Sequence, residues 1–265
     1  MTLRKRINKF VSILVLLSFI TMPVQQYGFT ADSVLPQGPE VVSGDAQITS
    51  DGTQMDITTS DKLIANWQSF SIGEPNTVNF WQPSSNSVAL NRVLGGDASS
   101  IMGQLNATGK IFLINQNGIL FGANSHVNAA GLVASTLDIS NNDFLAGRYF
   151  FTGDGGSVIN QGYISTPGGF VALLGSHVEN NGVIEAELGS VVLAAAKSLT
   201  LHLDPKGTIS VALDEALWQN LTGADDAVKN TGSIYADGGK VLLTAKALDG
   251  VFKKAVNNTG VIEAR

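Results

Sequence analysis

Apolar and polar positions alternate in short bursts through the second half of the chain, and the bursts repeat. Val158-Ile159-Asn160-Gln161-Gly162-Tyr163-Ile164 returns as Val178-Glu179-Asn180-Asn181-Gly182-Val183-Ile184. It returns again as Val228-Lys229-Asn230-Thr231-Gly232-Ser233-Ile234 and as Val256-Asn257-Asn258-Thr259-Gly260-Val261-Ile262. Gly169, Gly189 and Gly239 each follow the glycine of their copy by seven residues and lead into Val171/Leu173, Val191/Leu193 and Val241/Leu243. A period of two predicts strands with one buried face. Two such strands in 20 residues, separated by glycine turns, predict one coil of a solenoid. Stacked coils pair each strand with its counterpart above and below, giving parallel sheets. A β-sandwich would instead use hairpins closed by Asn-Gly turns. The fold class expected is therefore all-β, a right-handed parallel β-helix with an N-terminal β cap and extra-helical excursions. In register, Asn160, Asn180, Asn230 and Asn258 are expected to form an internal ladder or to hold a left-handed turn position.

The period breaks between Gly189 and Gly232. Leu199–Leu203 and Thr208–Leu213 read as an extra hairpin, and Asp214–Leu221 as a short helix with Asp214 at its N-cap. Such an excursion is expected to cover a sheet edge. Upstream, Ile101–Asn115 is a tighter version of the coil, with Leu105, Ala107, Ile111 and Leu113 inward. Asn117-Gly118 is a tight-turn signal, and Val127–Thr136 resumes the strand pattern. Residues 32–65, with the alternating stretches Ala46–Thr49 and Gln54–Thr58, are the expected cap.

The first segment has a different pattern. Arg4, Lys5, Arg6 and Lys9 precede the apolar run Val11–Ile20, which is too short for a membrane span and fits a secretory leader. Residues 1–31 are assigned to a signal peptide and residues 32–265 to the exported domain. No later run reaches the roughly 18 apolar residues of a transmembrane helix. With 44% hydrophobic and 14% charged residues, the chain is not of disordered composition. It has no cysteine, which excludes a disulfide scaffold, a cysteine-ligated zinc site and a thiol nucleophile. The net charge is −6, and four of the cations lie in the leader, so no basic stripe argues for nucleic acid or an anionic membrane.

Four stretches in the first half carry a resemblance. They are Leu35-Pro36-Gln37-Gly38 with Gly44; Trp67-Gln68-Ser69-Phe70-Ser71-Ile72-Gly73; Phe80-Trp81-Gln82-Pro83-Ser84 through Val88-Ala89-Leu90-Asn91-Arg92-Val93; and Ile114-Asn115-Gln116-Asn117-Gly118-Ile119. In this order they resemble the amino-terminal secretion domain of two-partner-secreted exoproteins, the filamentous-haemagglutinin and high-molecular-weight-adhesin type, over about residues 35–265. The resemblance implies a β-helix at the front of an exported, surface-displayed or released adhesin of a Gram-negative bacterium. It also implies a dedicated outer-membrane β-barrel transporter whose periplasmic domains recognise this segment, with the general export machinery reading the leader. A host cell surface would be met through a region beyond this chain. The family's motif is Asn-Pro-Asn-Gly-Ile; Gln116 stands in place of the proline and removes its fixed φ. A second Asn-Pro-Asn-Leu motif of some members is absent. The residues assigned to partner recognition are Asn115, Gln116, Asn117, Gly118 and Ile119, with Asn91 and Arg92. The plainer alternative is that the two asparagines hold a turn and Arg92 pairs with a carboxylate.

Two other chemistries fit parts of the sequence. β-Helices also carry carbohydrate-active enzymes, and Glu185 and Glu187 would lie about 7 Å apart on one strand. No Arg or Lys cluster accompanies them, so no catalytic residue is assigned. Direct glycan or host-surface binding is the other alternative; aromatics are only 7%. His126, His177 and His202 lack metal-ligand spacing and are expected at the surface or in turns. Gly153-Asp154-Gly155-Gly156 is one fragment of a calcium repeat. No cofactor and no metal site are expected. The last residues, Val261–Arg265, fall halfway through a coil with no polar cap. Transport without ATP could be biased by folding, since a 20-residue coil contributes roughly 1–3 kcal/mol and solenoids fold by propagation.

Overall fold

The computed structural model describes residues 34–204 and 209–265. The assigned signal peptide lies outside the described residues. The chain winds as a parallel β-helix of three sheets with six, nine and eight strands. Each regular coil contributes one short strand to each sheet, as in Ser157–Asn160, Tyr163–Ser165 and Phe170–Gly175. The next coil repeats this with His177–Asn180, Val183–Glu185 and Ser190–Ala195. The sequence pattern predicts two strands per coil; the structure has three. The first block is bent at its glycine, where the Asn160 Oδ1 accepts the Gly162 N–H at 3.2 Å and turns the backbone.

The expected register holds. Val158 stands beside Val178, Val178 beside Val228 and Val228 beside Val256. Ile164, Ile184, Ile234 and Ile262 form a second column. The asparagines form the internal ladder: Asn160 Nδ2 donates to Asn180 Oδ1 (2.8 Å), Asn180 Nδ2 to Asn230 Oδ1 (2.7 Å), and Asn230 Nδ2 to Asn258 Oδ1 (2.7 Å). Asn160, Asn180 and Asn230 are fully buried, where an unpaired amide is costly. Their backbone is not left-handed. Beside the ladder runs a glycine column. A Cβ on Gly182 would strike the Gly162 carbonyl, and one on Gly232 would strike that of Gly182.

The N-terminal cap reverses strand direction. Glu40–Ser43 pairs antiparallel with Leu63–Trp67, and Ala46–Ser50 pairs antiparallel with Gln54–Thr59. From there the sheets run parallel, Gln54–Thr59 to Thr77–Trp81 and Leu63–Trp67 to Val88–Val93. Ala46 and Ile48 close the interior core at this end.

A second core lies outside the solenoid. Asp138–Ile139, Tyr149–Thr152, Ser198–Leu203 and Ile209–Glu215 form an antiparallel four-stranded sheet. With the helix Asn141–Leu145 it covers the outer face of the eight-stranded sheet through Phe112, Phe144, Phe151 and Phe170. The excursion thus covers a sheet face rather than the expected edge. Its hairpin is present, but the expected helix over Asp214–Leu221 is not. Ile209, Val211 and Leu213 alternate toward the second core, so the strand continues to Glu215, and Leu217 bridges to Ala247. A buried period of two has overridden the acidic capping signal. The helix that does form is capped by Ser140, whose Oγ accepts the Asp143 N–H.

The ladder predicts a position-specific stability loss. Asn180→Ala breaks two buried amide bonds and is expected to destabilise the chain by about 2–4 kcal/mol. The exposed neighbour substitution Gln161→Ala should stay within ~0.5 kcal/mol. Urea midpoints at unchanged slope measure both.

Candidate partner-recognition surface

The turn at 115–119 follows the strand Lys110–Ile114 and leads into Ile119–Phe121. Asn115 builds it from inside. Its side chain is fully buried; Nδ2 donates to the Asp97 carbonyl and to Ser99 Oγ, each at 3.0 Å. Its Oδ1 accepts the Asn117 N–H at 3.0 Å, and its carbonyl accepts the Gly118 N–H at 3.1 Å. Gly118 has φ +129, a conformation open to glycine. Asn117 Nδ2 donates to the Gly95 carbonyl at 2.8 Å, and Gly156 N–H donates to the Gln116 carbonyl at 2.8 Å. The turn is therefore pinned to the coil before it and to the segment after it. The asparagine bonds supply the rigidity that the proline of the family motif would give.

The assigned residues divide by exposure. Gln116 and Asn117 face solvent, whereas Asn115, Gly118 and Ile119 are buried. Asn91 lies on the inner face of its strand, fully buried, and its Oδ1 accepts the Trp67 indole N–H at 3.0 Å. Arg92, next along the same strand, faces outward with 12% of its side chain exposed. Its Nε donates to Asp138 Oδ1 and its Nη1 to Asn141 Oδ1, each at 2.8 Å, while Nη2 donates to the Ile139 carbonyl. Arg92 thus pairs with a carboxylate and ties the outer sheet and its helix to the solenoid. Arg92, Asp138, Gly95, Gly96, Gln116 and Asn117 line one polar depression of about 340 Å³. The structure brings Arg92 and the turn together and leaves Asn91 apart.

The other quoted motifs meet one another. Gln37 N–H donates to the Ser69 carbonyl, and Gln68 N–H donates back to that of Gln37, both at 2.9 Å. Gln82 is buried; its Nε2 donates to the Ser87 and Lys110 carbonyls, and its Oε1 accepts the Gly109 N–H. These residues carry the stacking of the first coils. The contributions of Gly95, Gly96 and the Asp97 carbonyl escaped sequence reading; Gly-Gly-Asp as a turn cluster is the signal that marks them.

Several of the remaining candidates have structural partners. Glu185 accepts the Tyr163 hydroxyl, a bond that pushes the phenol above its usual range. Asp154 of the Gly-Asp-Gly-Gly fragment pairs with Lys197. His177, expected at the surface or in a turn, is buried at the start of a strand: Nδ1 lies 2.7 Å from the Asp226 carbonyl and Nε2 3.4 Å from the Glu179 carboxylate. Lys229 Nζ donates to the other oxygen of Glu179 at 2.6 Å, and it leads the contacts that hold this carboxyl below its usual range against its burial. Among the described residues no group of three or more His, Cys, Asp or Glu side chains is arranged to hold a metal ion.

Comparison with known proteins gives a consistent result. A family model described as the TPS secretion domain matches residues 32–265. A heme/hemopexin-binding protein of Haemophilus influenzae strain Rd is 39% identical over 223 residues, which cover 80% of this chain and 24% of that protein. A second Haemophilus influenzae protein of the same description is 36% identical, over 90% of this chain and 27% of its own. The chain thus spans about a quarter of the length of these relatives. The crystal structure of the HMW1 secretion domain from Haemophilus influenzae superposes with TM-score 0.75 at 33% identity, covering 86% of this chain and 58% of that one. The filamentous haemagglutinin secretion domain, at 14% identity and TM-score 0.50, shares the fold; the match covers 86% of this chain and 100% of that one.

The position of Arg92 predicts a large effect for a single substitution. Arg92→Ala removes three charge-assisted bonds and leaves Asp138 with the Ile139 N–H alone, and should cost about 2–3 kcal/mol in urea unfolding. Arg148→Ala, which breaks the exposed pair with Asp143, should cost less than ~1 kcal/mol.

Proposed function

The chain belongs to the TPS secretion-domain family, and from that premise we propose that residues 32–265 present the turn at 115–119 to a cognate outer-membrane transporter as the address for export. TPS domains are recognised by outer-membrane transporters in two-partner secretion. The exoproteins they head, those of Gram-negative bacteria, are secreted or surface-displayed by way of the periplasm. The family is one of secretion domains of adhesin-like exoproteins and is not a known enzyme family.

In this proposal, residues 1–31 deliver the chain to the periplasm through the general export machinery. Gln116 and Asn117 are the groups the transporter's periplasmic domains touch. Asn115, Gly118 and Ile119 hold those two in place from beneath, and Asn91 acts more remotely, by fixing Trp67 in the interior. Arg92 and Asp138 form the wall of the depression beside the turn. A host surface is met by a region beyond this chain. The observation that carries the reading is the pinning of the turn: an exposed pair of polar side chains on a loop fixed from both sides loses little conformational entropy on binding.

The test is co-expression of the chain with its cognate transporter. Wild-type chain should appear in the medium only when the transporter is present. Gln116→Ala/Asn117→Ala should reduce that release by about tenfold, the effect of losing roughly 1.4 kcal/mol of binding, while losing only about 1 kcal/mol of stability with the Asn117–Gly95 bond. Undiminished release of the double variant would overturn the assignment of the turn.

A further inference from the structure

The polar depression covers one side of the recognition turn. On the other side lies an apolar groove of about 300 Å³, and it shares Asn117 and Gly118 with the turn. Its floor is the outward face of the six-stranded sheet, where Leu120 and Ile159 are register neighbours on adjacent strands. Its far wall is Leu221, which comes from the excursion, about a hundred residues downstream in the chain. This apolar side chain is 57% exposed.

The loop that carries Leu221 is ordered by Asn220. Asn220 Oδ1 accepts the Thr222 N–H (3.1 Å), the Thr222 hydroxyl (2.9 Å) and the Gly223 N–H (3.0 Å). Asn220 Nδ2 donates to the Ala224 carbonyl at 2.6 Å. The segment is anchored on both sides of this tip. Leu217 N–H donates to the Lys246 carbonyl, and the Leu217 carbonyl accepts the Leu248 N–H, both at 2.8 Å; Asp226 re-enters the six-stranded sheet. Four side-chain hydrogen bonds of Asn220 order the loop around Leu221, and the leucine remains more than half exposed. An exposed, preorganised apolar anchor beside a fixed polar turn has the composition of a binding hot spot with its polar rim.

We propose that Leu221, with Leu120 and Ile159, forms the apolar half of the transporter-recognition surface. The occupant is the transporter's periplasmic region, inserting an apolar side chain into this groove while its polar groups meet Gln116 and Asn117. The proposal rests on the transporter reading given above. It adds a specificity element, because the excursion that supplies Leu221 is not part of the repeating coil. Substitution at 221 alters this contact without disturbing the stacked scaffold.

The experiment uses the full exported chain and the purified periplasmic domains of the cognate transporter, with affinity measured at equilibrium. Leu221→Asp should weaken binding at least about tenfold, as for loss of one central apolar anchor. Leu188→Asp, at an apolar residue 77% exposed on a turn elsewhere, should leave it unchanged. Urea midpoints of both variants should match wild type. The chain has no cysteine, so Leu221→Cys carrying a thiol-attached photo-crosslinker labels a single site. It should capture the periplasmic domains, and Leu188→Cys should not. If Leu221→Asp binds within twofold of wild type while Gln116→Ala/Asn117→Ala weakens binding, the apolar half is overturned and the turn stands. If neither variant weakens binding, both are overturned. If wild type does not bind the periplasmic domains, the transporter reading fails and takes this inference with it.

Discussion

Neighbouring coils can stack only at the hydrogen-bond spacing of paired strands, about 4.8 Å, and the rest of the molecule answers to that distance. Two coils this close leave no room for a side chain between their turns, so Gly162, Gly182, Gly232 and Gly260 align. The same spacing is right for one amide to reach the next, so the buried asparagines chain together instead of standing unpaired. It also sets like side chains over like, as with the isoleucine column. The coils from Ser157 onward solve the same problem with the same residues, which is why that half of the sequence repeats.

What departs from the repeat is attached to the outside. The eight-stranded sheet is apolar on both faces, and the outer sheet with its helix exists to cover the second face. Arg92 ties this cover to the solenoid, and it does so at the strand next to the one that ends in the turn at 115–119. The outer sheet, the depression and the turn are therefore joined through one guanidinium and a handful of carbonyls.

The repeat was legible because it recurs in register: the strands, the asparagine ladder and the inward positions of Leu105 and Ile111 could be read directly. The second core was less so. Phe170-Val171-Ala172-Leu173-Leu174 reads as alternating V-x-L only if its intervening residues are ignored; as an unbroken apolar run it signals burial on both faces. The helix expected over Asp214–Leu221 failed because acids near a chain reversal mimic a cap, while the period of two in Ile209, Val211 and Leu213 was the stronger signal. At the site, the Asn-Gly turn was visible. The carbonyls of Gly95 and Asp97 that pin it were not, since a backbone acceptor leaves no mark on side-chain identity. The burial of His177 depended on an acceptor supplied from beyond the excursion.

Asn180 and Asn230 are partners in the ladder although 50 residues separate them along the chain, against 20 for Asn160 and Asn180. The coil ending near Ala195 therefore waits for the whole excursion before its next neighbour exists. The thermodynamic penalty is small: by the logarithmic law of ring closure, the larger loop costs only about 0.8 kcal/mol more than a regular one. The kinetic consequence is larger. For a chain that emerges end first, the growing stack shows an uncovered terminal rung for more than twice the usual length of thread. The addition of rungs to such a chain is interrupted there for the length of the excursion, which is the segment that bears Leu221.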